Sequence, residues 1–254
     1  MSVLGGRHAL VTGGGSGIGA AIARALVDAG AAVTIAGRDK AKLDAMARAL
    51  KCASVVADVT READCAAMVA AARAQQGPLD LVIANAGAAE SAPAGKISPE
   101  HWYRMIGVNL TGAFFTVQAA LGDVTRNGEG TRRIVFTAST AGLKGYPYTA
   151  AYCAAKHGVV GLARALAVEL KPSGVTVNAV CPGFTDTPLF DTAAVEIASK
   201  TGRTVSEARA ALAKDNVEGR LISPEEVADK VLWLCSPAAS ATSGEAIVIA
   251  GRSQ

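Results

Sequence analysis

Thr12-Gly13-Gly14-Gly15-Ser16-Gly17-Ile18-Gly19 lies between a short apolar run and an alanine-rich stretch that favours a helix. Glycines at such a strand-to-helix turn let the backbone approach a pyrophosphate closely and let the helix pack against the strand. The start of the helix then offers free N–H groups and the positive end of its dipole to phosphates. A tight turn with only a structural role is the alternative, but its position at the first strand–helix junction favours dinucleotide binding. The spacing differs from G-x-x-x-x-G-K-[ST], which disfavours a nucleoside triphosphatase.

Short β-branched apolar runs alternate with longer alanine-rich stretches, and Gly, Pro, Asn or Asp marks each change. This alternation is typical of β-α-β units. We therefore predict an α/β fold: a single-domain, doubly wound, Rossmann-type, mostly parallel seven-stranded sheet with helices on both faces. The predicted strands run from His8 to Thr12, Ala32 to Ala36, Ala53 to Ala57, Leu79 to Ala84, Arg133 to Ala138, Val175 to Val180 and Ala246 to Ala250.

The composition indicates a cytoplasmic protein that folds by itself. Its 254 residues suit one α/β domain spanning 1–254, and 50% of them are hydrophobic while 19% are charged. The formal net charge of +3 comes from scattered residues, which disfavours a nucleic-acid partner or a membrane surface. Five cysteines without a Cys-x-x-Cys, and three histidines without partners at ligand spacing, predict neither a disulfide framework nor a metal site. The first residues lack the pattern of a signal peptide, and no apolar run approaches the ~20 residues of a membrane span.

Two helix starts are explicit in the sequence. Ser98-Pro99-Glu100 and Ser223-Pro224-Glu225-Glu226 each place a capping hydroxyl before a proline at the first helical position, and the second has the spacing of a capping box. Residues from about 184 to 217 are polar and helix-forming at a point where the alternation predicts a connection. Because long connections in compact domains are usually functional, we expect a functional role for this segment.

Tyr152 and Lys156 lie four residues apart in Ala150-Ala-Tyr-Cys-Ala-Ala-Lys-His-Gly158, a stretch that favours a helix. That spacing places both side chains on one helix face. An ammonium close to a phenol favours the phenolate, so we expect the pKa of Tyr152 to be lowered toward the working pH, where the phenol can act as a general acid or base. On its own, the pair is also typical of a solvated helix face.

These motifs, taken together and in order, resemble the short-chain dehydrogenase/reductase family over nearly the whole chain. The glycine turn is similar to the family's Thr-Gly-x-x-x-Gly-x-Gly, and Tyr152 with Lys156 to its Tyr-x-x-x-Lys. The other matching motifs are Ala84-Asn85-Ala86-Gly87 after the fourth strand, Asn109 in Val108-Asn-Leu-Thr-Gly112, Ser139 in Thr137-Ala-Ser-Thr140, and Pro182-Gly183 followed by Thr185 and Thr187.

The resemblance implies a catalytic role for four residues. Tyr152 exchanges the proton, and Ser139 hydrogen-bonds the substrate oxygen. Lys156 binds the nicotinamide ribose and tunes Tyr152, while Asn109 holds a water in a proton relay. The cofactor-binding residues that the resemblance implies are Gly13, Ser16, Gly17, Ile18, Gly19, Arg38, Asp58, Val59, Asn85, Ala86, Gly87, Tyr152, Lys156, Pro182, Gly183, Thr185 and Thr187.

The resemblance also implies where the substrate lies. Residues 184–217 become a substrate-covering segment, which we call the lid segment. Besides Ser139 and Tyr152, the expected substrate contacts are Phe184 and Tyr146, with a packing role as an equal alternative for Tyr146. At the adenine end, Asp58 has helix capping as its alternative role.

The residues after the second strand bear on the choice of cofactor. An NAD enzyme of this fold places a carboxylate at the end of that strand, where it accepts hydrogen bonds from the ribose 2′-hydroxyl and repels a 2′-phosphate. Here that position is Gly37, and the adjacent Arg38 can pair with a phosphate. We therefore predict NADP(H) as the preferred cofactor, with NAD(H) as the alternative. Arg38 could instead be a solvated loop residue, and Asp39 could either cap the next helix or turn inward and restore NAD preference.

The resemblance implies an oxidoreductase that transfers a hydride between a nicotinamide and a small-molecule secondary alcohol or ketone, 3-oxoacyl types included. The alternatives are a non-redox enzyme, such as an epimerase or dehydratase, and a nucleotide-sensing homologue without turnover. The complete catalytic set disfavours the sensor. We also expect a homotetramer, or at least a dimer, because the family's helices that carry Asn109 and Tyr152 usually pack against symmetry mates.

Overall fold

The computed structural model describes residues 2–126 and 130–251. Seven strands form one sheet in the order β3-β2-β1-β4-β5-β6-β7, and every strand pair in it is parallel. The predicted fold is thus confirmed, with a fully parallel sheet where a mostly parallel one was expected. The strands are β1 (His8–Thr12), β2 (Ala32–Gly37), β3 (Ala53–Val56), β4 (Leu81–Ala84), β5 (Arg133–Thr137), β6 (Thr176–Pro182) and β7 (Ala246–Ile249).

Helices cover both faces of the sheet. They are α1 (Gly17–Asp28), α2 (Lys40–Leu50), α3 (Glu62–Gln76), α4 (Pro99–Ile106), α5 (Gly112–Val124), α6 (Ala150–Glu169), α7 (Pro188–Thr201), α8 (Val205–Ala213) and α9 (Pro224–Cys235). Successive residues of a strand point to opposite faces, so Leu10 enters the core beneath α3, α5 and α6, and Val11 enters the core beneath α1 and α9. Both faces of the strands are therefore buried, which explains their nearly continuous apolar sequences.

The capping motifs form as the sequence predicts. Ser98 accepts a hydrogen bond from the His101 N–H at the start of α4, and Ser223 forms a complete capping box with Glu226 at the start of α9. The lid segment carries α7 and α8, begun by Thr187 and Thr204. Its predicted helical character is confirmed.

A continuous helical stretch, Pro99–Val124, joins α4 to α5 through a π-helical turn at Gly107–Thr111. By length and composition alone this stretch could cross a membrane, a criterion that the core helices of globular proteins also meet. The sequence predicted no apolar run near the length of a membrane span. This 26-residue stretch is longer than expected because only a few charged residues interrupt it. Its α5 part packs against α3 and the sheet, and its α4 part packs against α6. The π turn contains the buried Asn109, and such turns are frequent at functional sites.

A buried histidine lies at the opposite end of the sheet from the carboxyl ends of the strands. His8 is 3% exposed, and its Nδ1 lies 2.8 Å from the Gly77 carbonyl oxygen while its Nε2 lies 2.9 Å from the Thr34 hydroxyl. Because a carbonyl can only accept, Nδ1 carries the proton, and Nε2 accepts from Thr34. The Gln76 amide in turn donates to the Thr34 hydroxyl. The neutral ring thus satisfies every partner, and burial lowers the pKa of His8.

This pKa makes stability depend on pH. His8 binds a proton more readily in the unfolded chain than in the folded chain. The neutral His8 ring therefore contributes fully to the free energy of unfolding above pH ~6.5, and this contribution declines as the pH falls below that value. We predict that the urea midpoint falls between pH 7 and pH 5, and that His8→Gln, which keeps a donor and an acceptor without titrating, flattens this fall. His157→Gln, at an exposed histidine, serves as the control. Parallel pH curves for wild type and His8→Gln would contradict the assignment.

Candidate active site

A cleft of about 580 Å³ opens at the carboxyl ends of the strands. The sheet order reverses between β1 and β4, and ligands of open α/β sheets bind at such a switch point. The volume is within the range of sites for small molecules and cofactors. The cleft is lined by the glycine turn, by the loops after β4, β5 and β6, and by the lid segment.

Thr12 joins the two strands at the switch point. Its hydroxyl accepts the N–H groups of Asn85 and Ala86 at 3.0 and 3.1 Å, and the Asn85 amide donates to the Thr12 carbonyl at 2.9 Å. Thr12 is 1% exposed, so these bonds are shielded from water. They hold the turn after β1 and the turn after β4 in one fixed arrangement.

The glycine turn has the shape that a pyrophosphate requires. Gly17 has a φ of +53°, a left-handed conformation that favours glycine, and a Cβ on Gly19 would overlap the carbonyl oxygen of Gly13. Ser16 precedes α1, and no side-chain cap bond satisfies the first N–H groups of α1 in the described chain. These groups border the cleft and fit a dinucleotide phosphate.

Asn109 fixes the loop after β4 from the π turn. Its amide donates to the carbonyls of Ala88 and Met105 at 2.9 and 3.0 Å, and its Oδ1 accepts the Ala88 N–H at 3.2 Å. Both amide hydrogens are therefore engaged, and Oδ1 keeps one lone pair. Asn109 is a positioning residue in this structure, and only Oδ1 is left to hold the relay water that the resemblance implies.

The predicted catalytic residues converge in the cleft. Ser139 follows β5 and its Oγ accepts the Ala141 N–H at 3.1 Å, and its hydroxyl lies close enough to the Tyr152 phenol to lower the pKa of that phenol. Lys156 lies one turn beyond Tyr152 on α6, with Nζ 5.7 Å from the centre of the Tyr152 ring. The Lys156 ammonium donates to the Thr137 carbonyl at 2.7 Å. A hydroxyl, a phenol and an ammonium thus share one wall.

Burial determines the pKa values of this pair. Desolvation raises the pKa of Tyr152 to about 12, against the lowering effect of Ser139, and desolvation lowers the pKa of Lys156 to about 8. The direction for Tyr152 is opposite to the one predicted from the sequence, because the cost of burying a phenolate exceeds the stabilisation by nearby groups. At neutral pH the phenol is protonated, the form that donates a proton to a carbonyl oxygen.

Three of the predicted cofactor residues lie outside the cleft lining, beyond the end of β2 and β3. Arg38 is exposed and its charge acts on Asp58, whose carboxylate accepts the Thr60 N–H and hydroxyl at 3.0 and 2.8 Å. These bonds close a turn before α3 and do not cap that helix, whose N-cap is Arg61 without a side-chain bond, so the capping alternative for Asp58 is wrong. Val59 is buried against α5. Asp39 caps α2 by accepting the Lys42 N–H at 3.1 Å, a bond that lowers the pKa of Asp39.

The lid segment is held in place by a residue that sequence reasoning missed. Asn216 is 5% exposed, and it accepts the Phe184 N–H at 2.9 Å and donates to the Phe184 carbonyl at 2.8 Å and to the Arg220 carbonyl at 2.7 Å. It pairs with Phe184 as a neighbouring strand would, and so fixes where the lid segment leaves Gly183. Its partners lie far along the chain, and no local motif reveals them.

Aromatic rings form the outer wall of the cleft. Tyr146 and Phe184 meet edge to face with ring centres 5.8 Å apart, and Phe184 meets Phe190 at 6.0 Å. We call these three rings the aromatic wall. Lining residues that the sequence did not single out include Glu90, Glu196, Ile197, Leu212 and Asp215. The helical spacing of α7 could have indicated Glu196 and Ile197, once Phe190 was placed at the cleft.

The fold and the cleft define a nicotinamide-dinucleotide oxidoreductase of the α/β class. Residues 7–197 match the family model described as short chain dehydrogenase. The chain is 40% identical to a cis-4-hydroxycyclohexanecarboxylate dehydrogenase from Sinomonas cyclohexanicum, over 96% of this chain and 95% of that one. It is 35% identical to a D-beta-hydroxybutyrate dehydrogenase from Cupriavidus necator, over 95% of both chains. A crystal structure of an actinorhodin polyketide ketoreductase variant with NADPH superimposes with a TM-score of 0.92, at 35% identity and 96% coverage of each chain.

The chain belongs to the short-chain dehydrogenase/reductase family. It is an NAD(P)-dependent oxidoreductase acting on CH–OH groups and the corresponding ketones. The sequence prediction of family and reaction is confirmed, and the non-redox and sensing alternatives are set aside.

Proposed function

We propose that this enzyme is an NADP(H)-dependent ketone reductase and alcohol dehydrogenase whose chemistry is carried by Ser139, Tyr152 and Lys156. The observation that supports this most directly is the convergence of these three side chains on one wall of the cleft, beside the glycine turn. An absorbance assay of reduced nicotinamide over a panel of ketones and alcohols, 3-oxoacyl esters included, tests it.

Each residue has a distinct task in the proposed reaction. Ser139 and Tyr152 hydrogen-bond the substrate oxygen, and Tyr152 donates its proton as the ketone becomes an alcohol. Lys156 binds the ribose hydroxyls and favours the phenolate that Tyr152 leaves behind. The free lone pair of Asn109 Oδ1 holds a water that returns a proton toward Lys156. The nicotinamide supplies the hydride when bound.

The glycine turn, with Ser16 and Ile18, holds the pyrophosphate in this proposal, and the loops around Asn85–Gly87 and Pro182–Gly183 hold the nicotinamide half. Thr185 and Thr187, which line the cleft beside them, would help to hold that half, and Asp58 and Val59 would border the adenine. One domain, 1–254, carries the whole reaction, with the lid segment over the substrate.

The catalytic assignment predicts separate effects on turnover and on cofactor binding. Tyr152→Phe removes the proton donor but leaves the ribose contacts, so kcat should fall at least ~10²-fold while the Kd for NADPH stays within about twofold. Lys156→Ala should weaken both. Tyr103→Phe, at an exposed tyrosine of α4, is the matched control. Near-normal turnover by Tyr152→Phe would place the proton donor elsewhere around Ser139.

The preference for NADP(H) rests on the residues that come after β2. Gly37 brings no carboxylate to the 2′ position, and Asp39 is committed to capping α2. The exposed Arg38 can pair with a 2′-phosphate. Its positive charge also reaches Asp58, where it lowers the pKa of the carboxyl group.

We therefore predict that Arg38→Ala lowers kcat/KM for NADPH by about tenfold or more and changes kcat/KM for NADH by less than about twofold, since an ionic hydrogen bond contributes ~1.5–3 kcal/mol. Arg48→Ala, at an exposed arginine near the end of α2, controls for loss of charge. A wild type that prefers NADH, or a preference untouched by Arg38→Ala, would refute this assignment.

We also propose a cytoplasmic homotetramer. Trp102 and Phe114 on α4 and α5, and Val168 on α6, are exposed large apolar residues on helices that this proposal pairs with symmetry mates, and burial at an interface would remove them from water. The five cysteines are free thiols, as in a reducing compartment. Light scattering measures the mass of the assembly in solution. We expect four times the mass of one chain, and the mass of a single chain would contradict the proposal.

A further inference from the structure

The substrate end of the cleft combines apolar rings with carboxylates. The aromatic wall is joined there by Leu189, Ala193, Ile197 and Leu212, all of which line the cleft. Glu90, Glu196 and Asp215 line it as well. Among the lining residues that the structure describes, Lys156 is the cation, and it lies beside Tyr152 with its ammonium bonded to Thr137.

Glu196 shares a helix face with the apolar lining. Phe190, Ala193, Glu196 and Ile197 follow the spacing of three to four residues that aligns side chains along one side of α7. Glu196 forms an exposed, one-point ion pair with Lys200, a kind of pair that contributes little free energy and leaves the carboxylate accessible at the cleft. A negative substituent held between α7 and the aromatic wall would therefore meet a like charge.

The cations near the rim are engaged with carboxylates or a ring. Arg104 makes a two-pronged pair with Glu90, at 2.7 and 2.5 Å. Arg209 bonds Asp186 and Asp191 while its guanidinium lies over the Phe190 ring. Lys144 lies over the Tyr146 ring, with Nζ 4.9 Å from the ring centre. The favourable partners at this end of the cleft are apolar surfaces.

We infer that this enzyme selects uncharged ketones and alcohols that carry an apolar, ring-sized substituent, and that Glu196 and Asp215 act against substrates with a carboxylate. The inference rests on the proposed function. It separates this chain from the two dehydrogenases named above, whose names denote hydroxy acids as substrates. Repulsion between like charges discriminates strongly between ligands, because it weakens the binding of a charged substrate and leaves the binding of an uncharged substrate unaffected.

A matched pair of ketones tests the inference: methyl 4-acetylbenzoate and its free acid, 4-acetylbenzoate, at saturating NADPH. We expect kcat/KM for the ester to exceed that for the acid by at least about tenfold. Added salt should narrow this ratio by raising turnover of the acid, since salt screens the repulsion. Glu196→Gln and Asp215→Asn should each narrow it too, whereas Glu225→Gln, at an exposed glutamate of α9, should leave it unchanged.

Equal values for ester and acid, or a preference for the acid, would overturn the inference while leaving the proposed function intact. So would a selective loss of acid turnover in Lys144→Met, because it would identify Lys144 as a carboxylate receptor. If neither compound is reduced, their inhibition constants against a ketone that the enzyme does reduce provide the same comparison. An acid that inhibits as strongly as the ester then refutes the inference about carboxylates. If no ketone at all is reduced, it is the proposed function that has failed.

Discussion

The hydroxyl of Thr12 is the point on which the active site depends. It lies where the sheet order reverses, and it accepts two backbone N–H groups of the turn after β4 while its own residue begins the glycine turn after β1. One side of this junction forms the phosphate cradle. The other side leads through Ala88 to Asn109, and past Gly87 to Lys156. The cofactor half and the catalytic half of the site are therefore positioned by the same buried bonds.

The parallel sheet explains why the remaining groups meet. Ser139 follows β5 and Gly183 follows β6, and the carboxyl ends of parallel strands share one edge of the sheet. The catalytic helix α6 then brings Tyr152 and Lys156 to that edge. Burial keeps the Tyr152 phenol protonated and lowers the pKa of Lys156 to about 8, so the wall suits proton donation to a carbonyl oxygen. The lid segment, fixed by Asn216, adds an apolar outer wall.

Local chemistry made much of this predictable from the sequence. Apolar runs between turn residues located all seven strands to within about two residues, and Ser98 and Ser223 marked helix starts that the structure contains. The features that escaped prediction depend on distant partners. The Asn216 clamp on Phe184 spans 32 residues, and the raised pKa of Tyr152 comes from burial that spacing along a helix does not reveal. Substrate selectivity likewise arises from side chains of separate loops and helices that only the folded chain brings together.

The most direct test of the central role of Thr12 compares Thr12→Val with Thr12→Ser. Valine keeps the shape but removes the acceptor of the Ala86 N–H, at a cost of ~1–3 kcal/mol, and leaves the Asn85 N–H with the Ile83 carbonyl alone, whereas serine keeps the hydroxyl. We predict that Thr12→Val weakens NADPH binding, measured by fluorescence titration, by about tenfold and lowers kcat as well, while Thr12→Ser stays within about twofold of wild type. Wild-type NADPH affinity and kcat in Thr12→Val would contradict it.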